Sequence, residues 1–362
     1  MTRIYVMTHK RFVPPEIEGY VPLHVGRKFG GGDLGYIGDD TGDSISQYNC
    51  YFGELTGMYW IWKNVSESCN VGICHYRRYF TNASGEYLKP EEFDKLLESY
   101  DIITSKAFGV HHGSYRADYA AAHTVEDLDI TGEVIKELYP EYYGVFCDVI
   151  NGSTQYMGNL MCTSKSRYDE YCEWLFTIFD KLYEKIDFDK YEDDYHRRVF
   201  GFLSEQLLMV WVLANKLKVY ECTVYITDEK AETKEFKTAI RQLIKMNNIG
   251  EAYSLFYEVL KVRPDIALTQ SDLRGEVRDI ELVLQILKLE NEQNVRGLLN
   301  YSDDLYKLLE HIAKIREILQ KSGIKSNNVC HLLETDEYLK ANPVSLIALK
   351  IISDAGNNRR GS

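Results

Sequence analysis

The sequence predicts an α/β domain, a mixed sheet flanked by helices, followed by an all-α region. Three observations lead there. Short apolar runs that end in polar clusters alternate with helix-length amphipathic segments as far as Ile226, the pattern of βα units. From Lys234 onward only helical periods remain. Six glycines from Gly26 to Gly38 interrupt the alternation with a mobile or closely approached loop. The expected division is 1–232 for the α/β domain, 233–355 for the helical region and 356–362 for a polar, disordered tail.

The elements follow in order. Arg3 to Thr8 reads as a first buried strand, and Tyr20 to Val25 as a second. Asn49 to Asn64 reads as one amphipathic helix, with Leu55, Met58, Tyr59 and Trp62 on its apolar face. The run Val71-Gly72-Ile73-Cys74-His75 is a buried strand. Pro90 to Tyr100 is a helix and Asp101 to Thr104 a strand. The middle is expected to be richer in loops, with a polar turn at His111 to Tyr115 and a helix over Thr124 to Tyr139. Within Ser153 to Ser164, the run Tyr156 to Cys162 reads as a strand with Asn159 in its centre. Arg167 to Ile186 is a strongly aromatic helix. A helix starting near His196 runs to Asn215, with Glu205 close to its start, and Lys218 to Ile226 is a closing strand. Beyond it, faces such as Ala252, Leu255, Phe256, Val259 and Leu260, or Ile280, Val283, Leu284 and Leu287, mark further helices. No period is sustained over three units, which argues against a solenoid.

Composition narrows the function classes. A net charge of −13 argues against nucleic acid as a partner, since that needs a basic face. The 28 tyrosines suit carbohydrate or nucleobase surfaces, or simply cover the core. The eight cysteines show no C-x-x-C spacing and read as small buried hydrophobes. Met1 to Lys10 lacks a long apolar core, and no run approaches the roughly 20 apolar residues of a membrane span. The expected location is cytoplasmic, including the inner face of a membrane, with at most peripheral contact.

The most informative stretch is His75-Tyr76-Arg77-Arg78-Tyr79-Phe80. Ligands of open α/β sheets sit beyond the carboxyl ends of the strands. Two adjacent arginines at such an edge repel unless an anion compensates them, and the guanidinium fork fits phosphate bidentately. No Gly-rich Walker pattern accompanies them, so a phosphotransferase is disfavoured. Glu54, on the helix upstream, can pair with Arg77 or Arg78 and orient them.

This block, together with Glu54-Leu55-Thr56 and Tyr59-Trp60-Ile61-Trp62-Lys63-Asn64, resembles the uncharacterised-domain family numbered 4422. Asp43-Ser44-Ile45-Ser46 with Asn49, the segment around Asn159, and Arg198 to Leu208 add to the likeness, which covers roughly residues 2 to 228. The family pattern usually has Asn where Ser44 stands and a bulkier residue at Gly57. That family occurs in capsule and exopolysaccharide gene clusters and is grouped with GT-A glycosyltransferases. The resemblance therefore implies a GT-A-like domain. It would move a sugar, with a galactose type favoured, from a nucleotide-sugar donor such as a UDP-sugar to a glycan acceptor, lipid-linked acceptors included. The competing expectation is a noncatalytic glycan- or nucleotide-binding module acting through its helical region.

The implied roles are as follows. Thr8 and Lys10 end the first strand, where GT-A proteins hold the nucleotide, and join His75, Tyr76, Arg77 and Arg78 in binding the donor diphosphate. Glu205 is the expected catalytic base, with Asp127 and Asp193 as fallbacks. His123, Asn159 and Arg198 are expected on the sugar or acceptor. Glu54, Asn49 and Lys63 are expected to orient the site. Many GT-A enzymes hold Mn or Mg with an Asp-x-Asp pair, but His75-Tyr76-Arg77 stands where that pair is expected. The arginines are thus expected to replace the metal, and Asp39-Asp40 or Asp193-Asp194 would be its ligands otherwise.

In the helical region, Phe236, Ile240, Leu243 and Ile244 share one side of a helix and Lys237, Arg241 and Lys245 form a basic stripe. A basic amphipathic helix can lie on an anionic membrane. We expect instead that its apolar face packs on the first domain and its lysines stay in water.

Overall fold

The computed structural model describes residues 1–358 other than 31, 68, 111, 269–270, 296 and 323–328, and only the backbone of 356–358. The chain divides into two compact units, Met1–Thr227 and Asp228–Ser362.

The strands of the first unit are β1 (Arg3–Thr8), β2 (Tyr20–His24), β3 (Ile37–Gly38), β4 (Asn70–His75), β5 (Arg78–Thr81), β6 (Ile102–Ser105), β7 (Phe108–Gly109), β8 (Thr154–Gln155), β9 (Met161–Ser164) and β10 (Val219–Ile226). Its helices are α1 (Asn49–Phe52), α2 (Leu55–Asn64), α3 (Pro90–Leu97), α4 (Tyr115–Ala122), α5 (Val125–Leu138), α6 (Pro140–Asn151), α7 (Lys165–Lys185) and α8 (Val199–Ala214). Eight strands form one sheet, in the order β3-β2-β1-β4-β5-β10-β6-β9, and β9 also pairs with β4. β1 to β4 run parallel, β6 and β10 run parallel, and β5 and β9 run antiparallel to their neighbours.

The two-residue period of a strand decides what covers each face. On β1, Tyr5 and Met7 enter a core with residues of α2 and of α5 to α8. Ile4 and Val6 point the other way, into a core with Phe80 and with Phe93 of α3. The sheet is therefore buried on both sides, which parallel strands require. Each large side chain fully buried in these cores contributes roughly 1.5–3 kcal/mol. α2 lies so close to the sheet that a Cβ on Gly57 would stand 2.6 Å from Val25 Cγ1 and 2.7 Å from Met7 Sδ. A bulkier residue there would have to push the helix outward.

Several local expectations change. The segment 49–64 is two helices, broken at Gly53, whose φ of +55° lies in the left-handed region. The buried side of α2 is Leu55, Met58 and Ile61, with Tyr59 and Trp62 only partly covered. The loop-rich middle is largely helical, through α4, α5 and α6. Asn159 is not in a strand: it follows Gly158, with φ +58°, in the turn before β9. Glu205 lies inside α8, six positions beyond Val199, and not at its start. His111 of the expected polar turn lies outside the described residues. Of the expected tail, 356–358 belong to the last helix and 359–362 lie outside the described residues.

The second unit contains α9 (Ala231–Lys245), α10 (Ile249–Val262), α11 (Glu276–Glu292), α12 (Leu298–Tyr301), α13 (Leu305–Ser322), α14 (Cys330–Thr335), α15 (Glu337–Ala341) and α16 (Leu346–Asn358). Phe236, Ile240 and Ile244 of α9 do not await the first unit. They join Phe256, Ile280, Leu284, Leu308 and Ile312 in the helical unit's own core. The basic stripe is also mostly consumed. Lys237 is 2% exposed and Arg241 pairs with Asp304 at 2.6 Å, which leaves Lys245 exposed. No helix among the described residues is long and apolar enough to cross a membrane.

Candidate active site

The polar cluster lies where the sheet topology puts it. His75 is the last residue of β4, and Tyr76-Arg77 form a two-residue turn into β5. Met7 lies opposite His75 in the β1–β4 register, and the Tyr76 N–H donates to the Met7 carbonyl at 3.1 Å. The Thr227 N–H donates to the Arg77 carbonyl at 2.9 Å. The turn is thus fixed beyond the carboxyl ends of β1, β4 and β10. There Tyr76 gathers cations: Lys10 Nζ is 5.1 Å and the Arg77 guanidinium carbon 5.8 Å from its ring centroid. His9 meets the same ring edge-on at 5.5 Å. Thr8 is buried and donates its hydroxyl to the Lys10 carbonyl at 2.6 Å, so it shapes the strand end.

Carboxylates approach from two helices. Glu54 precedes α2, and its Oε1 lies 4.0 Å from His75 Nε2. Glu205 approaches from α8. An ideal Cβ on Gly158 would be 3.2 Å from Arg78 Nη1 and 3.9 Å from Glu205 Oε1. The missing side chain therefore leaves a space that Arg78 and Glu205 both border. Gly158 was not evident in the sequence, although a glycine beside Asn159 is a signal of a turn.

Burial lowers the Arg78 pKa, opposed most strongly by Glu205, while Arg77 lowers it further. Burial also pushes His75 down to about 4; Glu54 opposes this, and Arg78 and Arg77 reinforce it. His75 is therefore neutral near pH 7. Burial would raise the Glu54 carboxyl, but the His75 ring, a backbone N–H, the Asn159 amide and Arg198 outweigh it and leave it lowered.

A family model described as a domain of unknown function, DUF4422, matches residues 3–216. The chain belongs to the DUF4422 family. No curated protein matches it. A solved structure that does match is the apo form of WbbM, described as a bifunctional glycosyltransferase, at 27% identity and a TM-score of 0.59. The alignment covers 63% of this chain and 45% of WbbM, so the chain spans less than half of that relative's length.

The other expected residues of this DUF4422 chain divide clearly. Asp39 is buried, and four donors fill its carboxylate: the N–H groups of Gly26 and Arg27 and the hydroxyls of Ser46 and Thr56. It holds the glycine-rich loop to α2. Asp40 faces Arg27 at 3.8 Å. Ser44 keeps a bonding role despite lacking an amide, donating to the Asp39 carbonyl and accepting from Ser46 N–H. Asn49 ties α1 to Gly53 and Thr56 rather than orienting the arginines. Lys63 lies over the Trp62 ring at 3.3 Å. Asp127 is 1% exposed and bound to Lys190 and the Tyr191 hydroxyl, so it is a core ion pair and not a base open to substrate. Asp193 accepts from the N–H groups of Tyr195 and His196 and pairs with His196 Nδ1 at 2.6 Å. Asp194 is 99% exposed and faces Arg197.

His123 stacks on Phe202 at 4.0 Å, and the Arg198 guanidinium lies over Tyr195 and Phe202. Arg198, Phe202 and Glu205 are spaced to share one face of α8. Asn159 is 1% exposed, and its amide Nδ2 donates to Glu54 Oε1 at 3.0 Å and to Ser204 Oγ at 2.9 Å. Both amide hydrogens are therefore spent on protein.

Proposed function

We propose that Met1–Thr227 is a GT-A-type glycosyltransferase that moves a sugar from a nucleoside diphosphate to a glycan acceptor. The observation that carries this reading is that Arg78 and Glu205 border the same space at Gly158, beside the Lys10–Tyr76–Arg77 cluster at the sheet's carboxyl edge. The likeness to a glycosyltransferase structure supports it.

The chemistry needs two things, and the residues offer both. The bond from the anomeric carbon to the diphosphate breaks with its electron pair leaving on the phosphate oxygen. Arg77 and Arg78 stabilise that charge, as fixed cations do in phosphoryl sites. The acceptor oxygen forms the new bond to the anomeric carbon, and in an inverting reaction Glu205 takes its proton. Glu205 lies beyond the first turn of α8, where a helix dipole stabilises a carboxylate, so its place is not explained by the dipole.

A divalent metal fits these residues poorly. The β4–β5 turn offers an imidazole, a phenol and two guanidiniums. Asp39 is saturated by its four donors, and Asp193 is engaged with His196. No step is therefore routed through a metal.

The test is a panel of nucleotide sugars, UDP-galactose included, with released nucleotide as the readout and a parallel arm in EDTA. We expect one donor to turn over with most activity kept in EDTA. Nucleotide binding without turnover on any donor or acceptor would make this a binding module. Loss in EDTA restored by manganese would return the role to the aspartates.

A further inference from the structure

We propose that Asn159 is a positioning residue that holds α8, and with it Glu205, in register with Glu54. It rests on the glycosyltransferase reading only for its kinetic consequence. The geometry is a chain of hydrogen bonds through one buried amide. Asn159 Nδ2 donates to Glu54 Oε1 at 3.0 Å and to Ser204 Oγ at 2.9 Å, and Ser204 Oγ donates to the Gly201 carbonyl at 2.7 Å. The turn before β9 thereby joins the start of α2 to the residue adjacent to Glu205.

The orientation of the amide is dictated by its neighbours. Glu54 is a carboxylate and only accepts. The Ser204 proton is committed to Gly201, so its oxygen also accepts. Only the NH₂ end satisfies both. The opposite end, Oδ1, has no hydrogen-bond partner among the described residues, although it is buried. Leaving a buried acceptor unpaired is costly, so the two donated bonds are what fix this side chain. Gly158, one residue earlier, borders Arg78 and Glu205. The same short turn thus spaces the guanidinium from the carboxylate and anchors the helix that carries it.

Asn159→Asp tests this with almost no change of shape. It replaces two donors by an acceptor and puts a second carboxylate against Glu54. The other titratable or charged groups acting on Glu54 are His75 at the end of β4, Arg78 at the start of β5 and Arg198 at the start of α8. Two carboxylates this close share a proton as pH falls, and the shared proton restores a donor.

At pH 7 the variant is expected to lose at least about tenfold in kcat with the donor KM unchanged, because the arginine turn is untouched. Its kcat relative to wild type should recover several-fold at pH 5. Native-state hydrogen exchange of the amides from Leu203 to Leu207 should rise at pH 7 and return toward wild type at pH 5. Ser204→Ala, which removes one of the two acceptors, should give a smaller kcat loss in the same direction and stands in if Asn159→Asp does not fold. Wild-type kcat, or a deficit that is flat with pH, would overturn the proposal. If wild type turns over no donor, the exchange measurement still decides: unchanged α8 protection in both variants refutes the positioning role, and pH-dependent loss sustains it.

Discussion

Lys237 and Arg78 both sit among carboxylates, and they are satisfied to very different degrees. Lys237, in the helical unit, donates to Glu229 at 2.9 Å, Asp272 at 2.7 Å and Glu276 at 2.8 Å. Burial alone would lower its pKa, but those three bonds outweigh it and raise it. The three carboxylates have the spacing of a metal site, and the ammonium fills their centre. Arg78, in the first unit, has Glu205 and Glu54 as opposing charges, yet among the described residues it forms no ion pair within 4 Å, and its pKa is lowered by burial. The first arrangement is complete and ties α9 to the start of α11. The second is a partly buried charge with opposing carboxylates but no ion pair to either. Perturbed, incompletely paired groups of this kind mark functional sites.

The largest effect should come from breaking the complete cluster. Lys237→Met leaves three carboxylates facing one another without their cation and should destabilise the helical unit by about 3–5 kcal/mol. Helical content lost on heating would report it. Turnover at the first unit should be retained at temperatures where the helices have not melted. An unchanged melting profile would show that the cluster is dispensable.

Next is Glu205→Gln. The amide is nearly isosteric but cannot take a proton, so transfer should fall by about a hundredfold or more, while nucleotide binding is kept. All four tryptophans lie at 60, 62, 174 and 211, within the first unit, so their fluorescence on denaturation reports its folding selectively. A normal denaturation curve with wild-type turnover would reduce Glu205 to a bystander.

What the sequence revealed and concealed follows from the range of each interaction. The arginine turn was legible because one short segment carries both the apolar strand and the polar cluster, His75 to Arg78. Glu54 and Glu205 were legible as carboxylates within or beside helix patterns. Asn159 was misread because Leu160 and Met161 give it strand-like neighbours, and the left-handed backbone at Gly158 is not visible in hydropathy. Asp39 resembled a loop ligand because its four donors come from positions 26, 27, 46 and 56. Lys237 looked like part of a surface stripe for the same reason. Its spacing with Arg241 and Lys245 is local, whereas Asp272 and Glu276 arrive from a distant helix approach. Local periodicity reports which residues share a face, and only the fold says what covers it.

Arg77→Ala and Arg78→Ala should each cut turnover by at least about tenfold, or roughly 1.4 kcal/mol of transition-state stabilisation. The two need not be equal, and their difference sharpens the comparison. Arg78 stands beside Glu205, so its loss should lower kcat as well as weaken donor binding. Arg77, grouped with Lys10 on Tyr76, should act mainly through the donor KM. Normal kinetics in either variant would remove that arginine from the diphosphate.

The smallest effect tests the electrostatic cost of this open arrangement. His75 has a folded pKa of about 4 because burial and the two arginines disfavour its charge, against about 6.5 in an unfolded chain. Between those values the unfolded state binds more protons than the folded one, so stability rises with pH. The contribution is present above about pH 6.5 and is lost as pH falls through about 4. From pH 7 to pH 6 it amounts to about 0.7 kcal/mol. Glutamine at position 75 does not titrate. His75→Gln should therefore lose less stability over that interval than wild type, by about that amount, when unfolding is followed by tryptophan fluorescence. Equal losses in the two proteins would mean that His75 titrates as it does in water, and that the site is more open to solvent than its neighbour Arg78 implies.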